Sequence, residues 1–215
     1  MRGAIFDLDG TLLDSMDYWA SVAEEFLEIN GILPPADTGR CFLENGMGWC
    51  HELWRSMGLS LSFEETRDQI YALMDKKYQT VISVKDGAID MLKRLKESGV
   101  KMCLATATDR ATVEMALARL GIDKYFSRIF TCTEVGKGKK YPLIYELALE
   151  HLGTPKDETY IFEDAYYAIV TAHDAGFNIV GVYDKNVYVP VEQIRPLCKF
   201  FLEKDSHYAL PSELL

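Results

Sequence analysis

The chain alternates between two hydrophobic patterns. An amphipathic stretch with helical spacing ends at or near a glycine, and a short run of apolar residues follows it. Glycine suits the left-handed residue just past a helix, and short uninterrupted apolar runs are typical of strands buried on both faces. The helical stretches lie at 86–98, 110–120, 142–152 and 166–175, and the apolar runs that follow them lie at 100–105, 129–130, 160–162 and 179–182.

Together with the apolar run 4–6, these pairs predict five parallel strands covered by helices. The tail between 191 and 202 shows weaker signs of a short helix and an edge strand. Residues 15–83 break the alternation, because they hold three amphipathic stretches and no convincing strand. We predict an α/β fold whose Rossmann-like core spans residues 1–14 and 84–215, with an all-helical domain, residues 15–83, inserted after the first strand.

Composition narrows the class of partner. The 215 residues are 48% hydrophobic, and 33 acidic against 23 basic side chains give a formal charge of −10. This balance disfavours nucleic acid and anionic membrane surfaces, because binding to either requires clustered lysine and arginine. No apolar run is long enough to span a bilayer, and the scattered cysteines lack metal-type spacing. We expect a cytoplasmic protein with reduced thiols that is a monomer or a weak homodimer.

Acidic, hydroxyl and lysine side chains follow four of the predicted strands, where an open parallel sheet binds its ligands. Carboxylate oxygens in small number suit Mg²⁺, and an aspartate can attack phosphorus. A lysine and hydroxyl donors would neutralise and position a phosphoryl group. The convergence predicts a magnesium-dependent phosphoryl-transfer site. Its segments are Asp7 and Asp9 after the first strand, Thr106 after the second, the lysine-rich loop 136–140 after the third, and Glu163 and Asp164 after the fourth.

The same segments resemble the haloacid dehalogenase-like (HAD) hydrolase superfamily over essentially the whole chain. The run DLDGTLLDS at 7–15 is similar to the first motif of that family, and Thr106 matches the second. The run GKKYPLIY at 138–145 resembles the third motif, and FED at 162–164 matches the fourth. The helical segment 15–83 resembles the small cap of the β-phosphoglucomutase-like and phosphoglycolate-phosphatase-like branch.

The resemblance implies a role for each acidic residue. Asp7 would be the nucleophile, and it would also bind Mg²⁺ as the cofactor. Asp9 would protonate the leaving oxygen and then activate water, while its backbone carbonyl binds the metal. Asp164 would complete the metal site, with Glu163 ligating directly or through water.

The resemblance also implies a phosphate-binding set. Thr106 and the amide of Ala107 would hold the phosphoryl group, and Lys139 would neutralise it and orient Asp7. Lys137 is a second candidate for the lysine that neutralises the phosphoryl group, but the spacing to the downstream proline and tyrosine of the motif favours Lys139. The glycine-rich stretch 45–48 of the insertion suggests a separate hypothesis, that this flexible loop, with Trp49 and Arg55, approaches the site and selects the leaving group. Asn45 and Arg55 are the candidate contacts.

Phosphomonoester hydrolysis of a small phosphorylated metabolite is the activity that the resemblance favours. Asp9 argues against a true dehalogenase, whose pattern lacks the second acid. A sugar phosphomutase is the alternative. It is weakened because such mutases carry a histidine shortly after the tyrosine of the first cap helix, whereas Trp19 follows Tyr18 in this chain. A catalytically silent relative acting as a binding or regulatory module is the third reading, and it is disfavoured because Asp7, Asp9, Lys139 and Asp164 are all present.

Overall fold

The computed structural model describes residues 1–214, and the chain forms two compact units. One unit contains Met1–Asp14 and the chain from Ser83 onward, and the other contains Ser15–Ile82. The second unit thus ends one residue before the boundary expected from the sequence. No helix in the described part of the chain is long and apolar enough to cross a membrane. The five cysteines are all free.

The first unit is built on a six-stranded sheet, and each strand pairs in parallel with its neighbours. The five strands predicted from the sequence are confirmed, and the tail supplies the sixth at the edge. The order across the sheet is β3-β2-β1-β4-β5-β6, so the first strand is central. The strands are β1 (Gly3–Phe6), β2 (Lys101–Thr106), β3 (Ile129–Thr131), β4 (Thr159–Glu163), β5 (Asn178–Val182) and β6 (Phe200–Leu202).

The second unit consists of α1 (Met16–Ile29), α2 (Thr38–Ser56) and α3 (Phe63–Thr80). Aromatic rings fill its interior, and Trp54 lies 5.4 Å from Phe26 and 6.0 Å from Phe42, measured between ring centroids. A capping box begins α3, where Ser62 and Glu65 each accept a hydrogen bond from the backbone N–H of the other. These contacts explain why the stretch folds as helices with their own apolar interior.

The glycine-rich stretch 45–48 is not the open loop expected from the sequence. It lies inside α2, which is broken at Gly46, where φ is 77° and ψ is 170°. That conformation is accessible to glycine and strained for other residues. The sequence pattern recognised only the part of α2 after this break, because the glycines on either side obscure the helical spacing before it.

The remaining helices belong to the unit with the sheet. Four of them lie at or within two residues of the predicted stretches, whereas the short helix at 132–135 was not predicted. Glycines end two of the four in the left-handed region, Gly121 at φ 68° and Gly153 at φ 59°. Apolar residues from β1 to β5 pack with those of the helices at 143–152, 166–174 and 191–194 into one buried core. The helices are α4 (Ala88–Glu97), α5 (Arg110–Leu120), α6 (Cys132–Val135), α7 (Leu143–Leu152), α8 (Tyr166–Asp174) and α9 (Val191–Ile194).

Candidate active site

The centre of the site is the carboxyl end of β1. Asp7 directly follows this strand, and its backbone N–H donates to the carbonyl of Phe162 at 2.9 Å. The register aligns Phe6 with both Leu104 of β2 and Phe162 of β4. The last residues of those neighbouring strands, Thr106 and Glu163, therefore leave the sheet at the same edge as Asp7. Parallel pairing thus brings together side chains that are far apart in the sequence.

Lys139 joins two of these strand ends. It precedes α7 and is buried, and its ammonium donates to Asp7 Oδ1 and, at 2.8 Å, to Glu163 Oε2. Lys137 is exposed and lies over the ring of Tyr141, with Nζ 4.9 Å from the centroid. Of the two lysines that competed in the sequence, the structure places Lys139 in contact with the carboxylates.

Three buried carboxylates form a compact group. Asp7, Glu163 and Asp164 each offer an oxygen within 4.8 Å of the other two. Thr11 donates from its hydroxyl to Asp164 Oδ1 at 2.8 Å, which fixes the orientation of this carboxylate. A Cβ at Gly10 would lie 2.3 Å from Asp164 Oδ2, and φ there is +81°, so the turn after Asp9 needs glycine.

The electrostatics of the group favour a cation. Burial raises the pKa of Asp7 to about 8, and the charges of Glu163 and Asp9 add to this effect while Lys139 opposes it. Burial also raises the pKa of Asp164 well above its ordinary value, with further contributions from Glu163 and Asp7. Burial disfavours the charged form of Lys139, but Asp7 and Glu163 outweigh it and hold the pKa of Lys139 well above its usual range. One ammonium among three carboxylates leaves excess negative charge.

Glu163 is held by donors on both of its oxygens. The hydroxyl of Tyr145 donates to Oε2 at 3.1 Å, beside Lys139, and the backbone N–H of Ala165 donates to Oε1 at 3.2 Å. Tyr145 comes from α7, and its ring is buried in the core below the site. The core therefore sets the position of the carboxylate that ends β4.

Asp9 stands apart from the three-carboxylate group. It is half-buried, and Thr108 donates from its hydroxyl to Asp9 Oδ2 at 2.6 Å. The backbone N–H of Thr108 donates to the hydroxyl of Thr106 at 3.1 Å, which ties this turn to the end of β2. Ala107, between the two threonines, is exposed. The turn after β2 therefore orients Asp9 from the neighbouring strand.

The two predicted specificity residues belong to the helical unit. Asn45 and Arg55 are exposed and lie on opposite sides of the break at Gly46 in α2. The Asn45 side chain donates to the carbonyl of Cys41 at 3.0 Å. Their role in substrate selection stays a prediction.

Sequence reasoning missed two groups at the sheet edge. Thr11 and Tyr145 were seen only as parts of motifs, yet they bond to Asp164 and Glu163. Lys85, which is partly buried, and the buried Asp184 form an ion pair at 2.8 Å, and neither was singled out. Asp184 follows β5 in the way that the other acids follow their strands, so the same rule applied to the fifth strand finds it.

Comparison with known proteins agrees with this arrangement. The family model described as haloacid dehalogenase-like hydrolase matches residues 4–182. A phosphorylated carbohydrates phosphatase of Thermotoga maritima is 26% identical over 187 residues, which cover 85% of each chain. A fructose-1-phosphate phosphatase of Escherichia coli is 26% identical over 185 residues, covering 84% of this chain and 95% of the relative.

The fold is found in solved structures as well. A crystal structure from Thermotoga maritima that carries a β-phosphoglucomutase assignment superposes with a TM-score of 0.81 at 23% identity, covering 100% of both chains. This superposition bears on the fold alone. The assignment to a family rests on the family model, which matches most of the sequence. The chain is therefore an enzyme that belongs to the haloacid dehalogenase-like hydrolase family, with the fold of its β-phosphoglucomutase-like branch.

Proposed function

We propose that this chain is a Mg²⁺-dependent phosphomonoester hydrolase that acts on a small phosphorylated metabolite through an aspartyl-phosphate on Asp7. The observation that carries the proposal is the buried contact of Lys139 with both Asp7 and Glu163, beside Asp164. A phosphorylated carbohydrates phosphatase and a fructose-1-phosphate phosphatase among the relatives support phosphate esters of sugars or similar metabolites as the substrate class.

The donor set fits a hard divalent cation. Asp7, Glu163 and Asp164 supply carboxylate oxygens close to one another, and their excess negative charge is what a divalent ion would relieve. Asp7 and Asp164 would hold Mg²⁺ with the backbone carbonyl of Asp9, and Glu163 would bind directly or through water. Bound Mg²⁺ would neutralise the phosphate oxygens and orient the ester for in-line attack.

Asp7 would act as the nucleophile at phosphorus. Lys139 holds one oxygen of this carboxylate, which leaves the other to attack the phosphoryl group. The same ammonium would neutralise charge that develops on the phosphoryl oxygens. Thr106 and the amide of Ala107 would supply further donors, because they stand at the end of the neighbouring strand β2.

Asp9 would be the general acid and base. Its carboxyl lies outside the three-carboxylate group, and Thr108 holds one of its oxygens at 2.6 Å. It would give a proton to the leaving oxygen as the ester bond breaks, and then take a proton from the water that hydrolyses the aspartyl-phosphate. The two steps return Asp7 and Asp9 to their starting states.

Hydrolysis is favoured over isomerisation by the residue at position 19. Trp19 donates from its indole N–H to the hydroxyl of Tyr78 at 3.0 Å, a contact inside the helical unit. An indole donates only and offers no acid or base for a sugar hydroxyl. A mutase would also have to shield its phosphorylated aspartate from water until substrate closes the site.

A substrate panel tests the proposal. Purified protein is assayed for phosphate release from sugar phosphates, nucleotides, phosphoglycolate and cofactor phosphates, with Mg²⁺ and then with EDTA. We expect hydrolysis of at least one small phosphate ester, its loss in EDTA and its return when Mg²⁺ is restored. Isomerisation of β-glucose 1-phosphate without phosphate release would favour the mutase instead. Full activity in EDTA would remove the metal from the proposal.

A further inference from the structure

A buried ion pair next to the carboxylate group has no part in the mechanism above. Lys85 Nζ lies 2.8 Å from Asp184 Oδ2, and the side chains are 13% and 4% exposed. A charge pair removed from water in this way costs desolvation free energy, and an apolar pair of similar volume is often as stable. Stability alone therefore does not explain the pair, and its position relative to the neighbouring carboxylates becomes informative.

The sheet places Asp184 beside Asp164. Strands β4 and β5 are neighbours, and Glu163 is in register with Gly181. Asp164 is the next residue after Glu163, and Asp184 lies three residues past Gly181 on the adjacent strand end. The two acids therefore leave the same edge of the sheet on neighbouring strands.

The backbone of Lys85 is anchored next to Thr11. Its backbone N–H donates to the carbonyl of Leu12 at 2.9 Å, next to Thr11, whose hydroxyl holds Asp164. Its ammonium also donates to the carbonyl of Tyr183 at 3.0 Å. Asp184 Oδ1 accepts from the backbone N–H of Asn186 at 2.9 Å, so both of its oxygens are engaged. These bonds fix the pair in place, and Asp184 is not one of the three grouped carboxylates.

We propose that the two charges of the Lys85–Asp184 pair act in opposite directions on the affinity of the carboxylate group for a divalent cation, with Asp184 raising it and Lys85 lowering it through Asp164. Both are positioning residues, and the inference rests on the proposed metal site. The negative charge of Asp184 strengthens the attraction for a cation, and the positive charge of Lys85 limits it. Consistent with this, Asp184 raises the pKa of Asp164 and Lys85 lowers it.

The two charges predict effects of opposite sign. Asp184→Asn removes a negative charge and leaves Lys85 unpaired, so the cation should bind about three- to ten-fold more weakly. Lys85→Met leaves Asp184 without its counter-ion, so binding at pH 8.5 should tighten by about two- to five-fold. A purely structural role would instead weaken binding in both variants, because each leaves one buried charge unpaired and destabilises the fold.

Isothermal titration of the metal-free protein with MgCl₂ at pH 8.5 measures this directly and does not depend on turnover. Arg2→Met and Glu158→Gln are the matched controls, because they remove the same charges from an exposed ion pair at the opposite, amino-terminal end of the sheet. We expect the dissociation constant of each control to stay within about twofold of the parent. The double variant Lys85→Met/Asp184→Asn removes both charges, and it should also stay within about twofold.

Shifts of the same sign in the two single variants would overturn the inference, and so would a change below twofold in Asp184→Asn. If either single variant does not fold, a change of more than fivefold in the double variant would overturn it equally. Absence of Mg²⁺ binding by the parent protein would instead refute the proposed metal site. The two failures are therefore distinguishable.

Discussion

The two units bury different kinds of side chain. The helical unit is filled by apolar and aromatic residues, such as Phe26, Trp54 and Ile70, and its buried His51 is satisfied by the carbonyl of Leu61 at 3.1 Å. The sheet unit has an apolar core too, but at the carboxyl edge of its sheet it buries several charged side chains. These are Asp7, Lys139, Glu163, Asp164 and Asp184.

The buried side chains of the helical unit stabilise its fold, whereas the buried charges of the sheet unit are suited to chemistry. Burying apolar area stabilises a fold, whereas burying a charge costs free energy unless partners and hydrogen bonds offset it. At the carboxyl edge of the sheet, partners and hydrogen bonds offset the cost of burying the carboxylates only in part, since the pKa values of Asp7 and Asp164 are raised. A group of carboxylates that the fold leaves short of positive charge is suited to binding a cation and a phosphate ester.

Replacement of the nucleophile should give the largest effect. Asp7→Asn keeps the side-chain shape but replaces the nucleophilic carboxylate with a neutral amide, so we expect turnover to fall by at least about 10⁴-fold. Hydrolysis of p-nitrophenyl phosphate measures the loss, and circular dichroism should show an unchanged fold. Asp90→Asn, an exposed change on α4, should keep full activity. Comparable activity in Asp7→Asn would rule out the aspartyl-phosphate.

The second-largest loss of activity should come from replacing Lys139, which joins the ends of β1 and β4. Lys139→Met removes the donor to Asp7 and Glu163, and we expect kcat to fall by about 10²- to 10³-fold. Lys137→Met is the matched control, because Lys137 lies two residues away in the same loop but is exposed. Equal losses in the two variants would mean that the loop as a whole, and not the buried ammonium, supports catalysis.

The raised pKa of Asp7 predicts how pH affects stability without metal. The folded protein keeps this proton up to about pH 8, whereas the unfolded chain releases it near 3.8. Stability should therefore fall as pH rises from about 4 to about 8, by at most about 1.4 kcal/mol per pH unit for one proton.

Mg²⁺ competes with that proton, so its stabilising effect should grow over the same range. Thermal unfolding in EDTA and in a fixed concentration of MgCl₂, at pH 6 and pH 8, measures both trends. Asp7→Asn should make the EDTA profile less steep, because one of the two carboxyl groups with a raised pKa is gone. An EDTA profile that rises between pH 6 and pH 8 would contradict the assignment.

The smallest effects should come from the helical unit. Asn45→Ala or Arg55→Ala should change the ranking of substrates by a few-fold while leaving p-nitrophenyl phosphate turnover nearly unaltered, because its aromatic leaving group lacks the hydroxyl groups by which metabolites differ. The measurement is kcat/KM over the substrate panel. Equal loss on every substrate would show that these residues do not determine specificity.

Local sequence patterns predicted much of the fold. The sheet unit repeats one strand and one helix, and each short apolar run is a strand that must be covered on both faces, so 4–6 and 160–162 could be assigned reliably. The first half of α2 could not, because Gly39, Gly46 and Gly48 interrupt its helical spacing. Glycine lowers helix propensity, and here the packing of the unit overrides it.

The strand-end rule likewise pointed to Asp7, Thr106, the loop 136–140 and Asp164, since parallel strands bring their carboxyl ends to one edge. The choice of Lys139 within that loop came from the spacing of the family motif. The rule could not show that Lys139 bonds to both Asp7 and Glu163, or that Tyr145 supports Glu163 from the core. Those contacts depend on how α7 packs under the sheet, a relation between segments that no local pattern encodes.

The sequence by itself determined the parallel α/β core, the helical insertion and the residue types available for phosphoryl transfer, because each follows from short-range spacing. Only the tertiary structure decided which carboxylates lie close enough together to hold one cation, and that Lys85 and Asp184 form a largely buried ion pair beside them. Charges act through space, so their effect on a site depends on distance and burial and not on order along the chain.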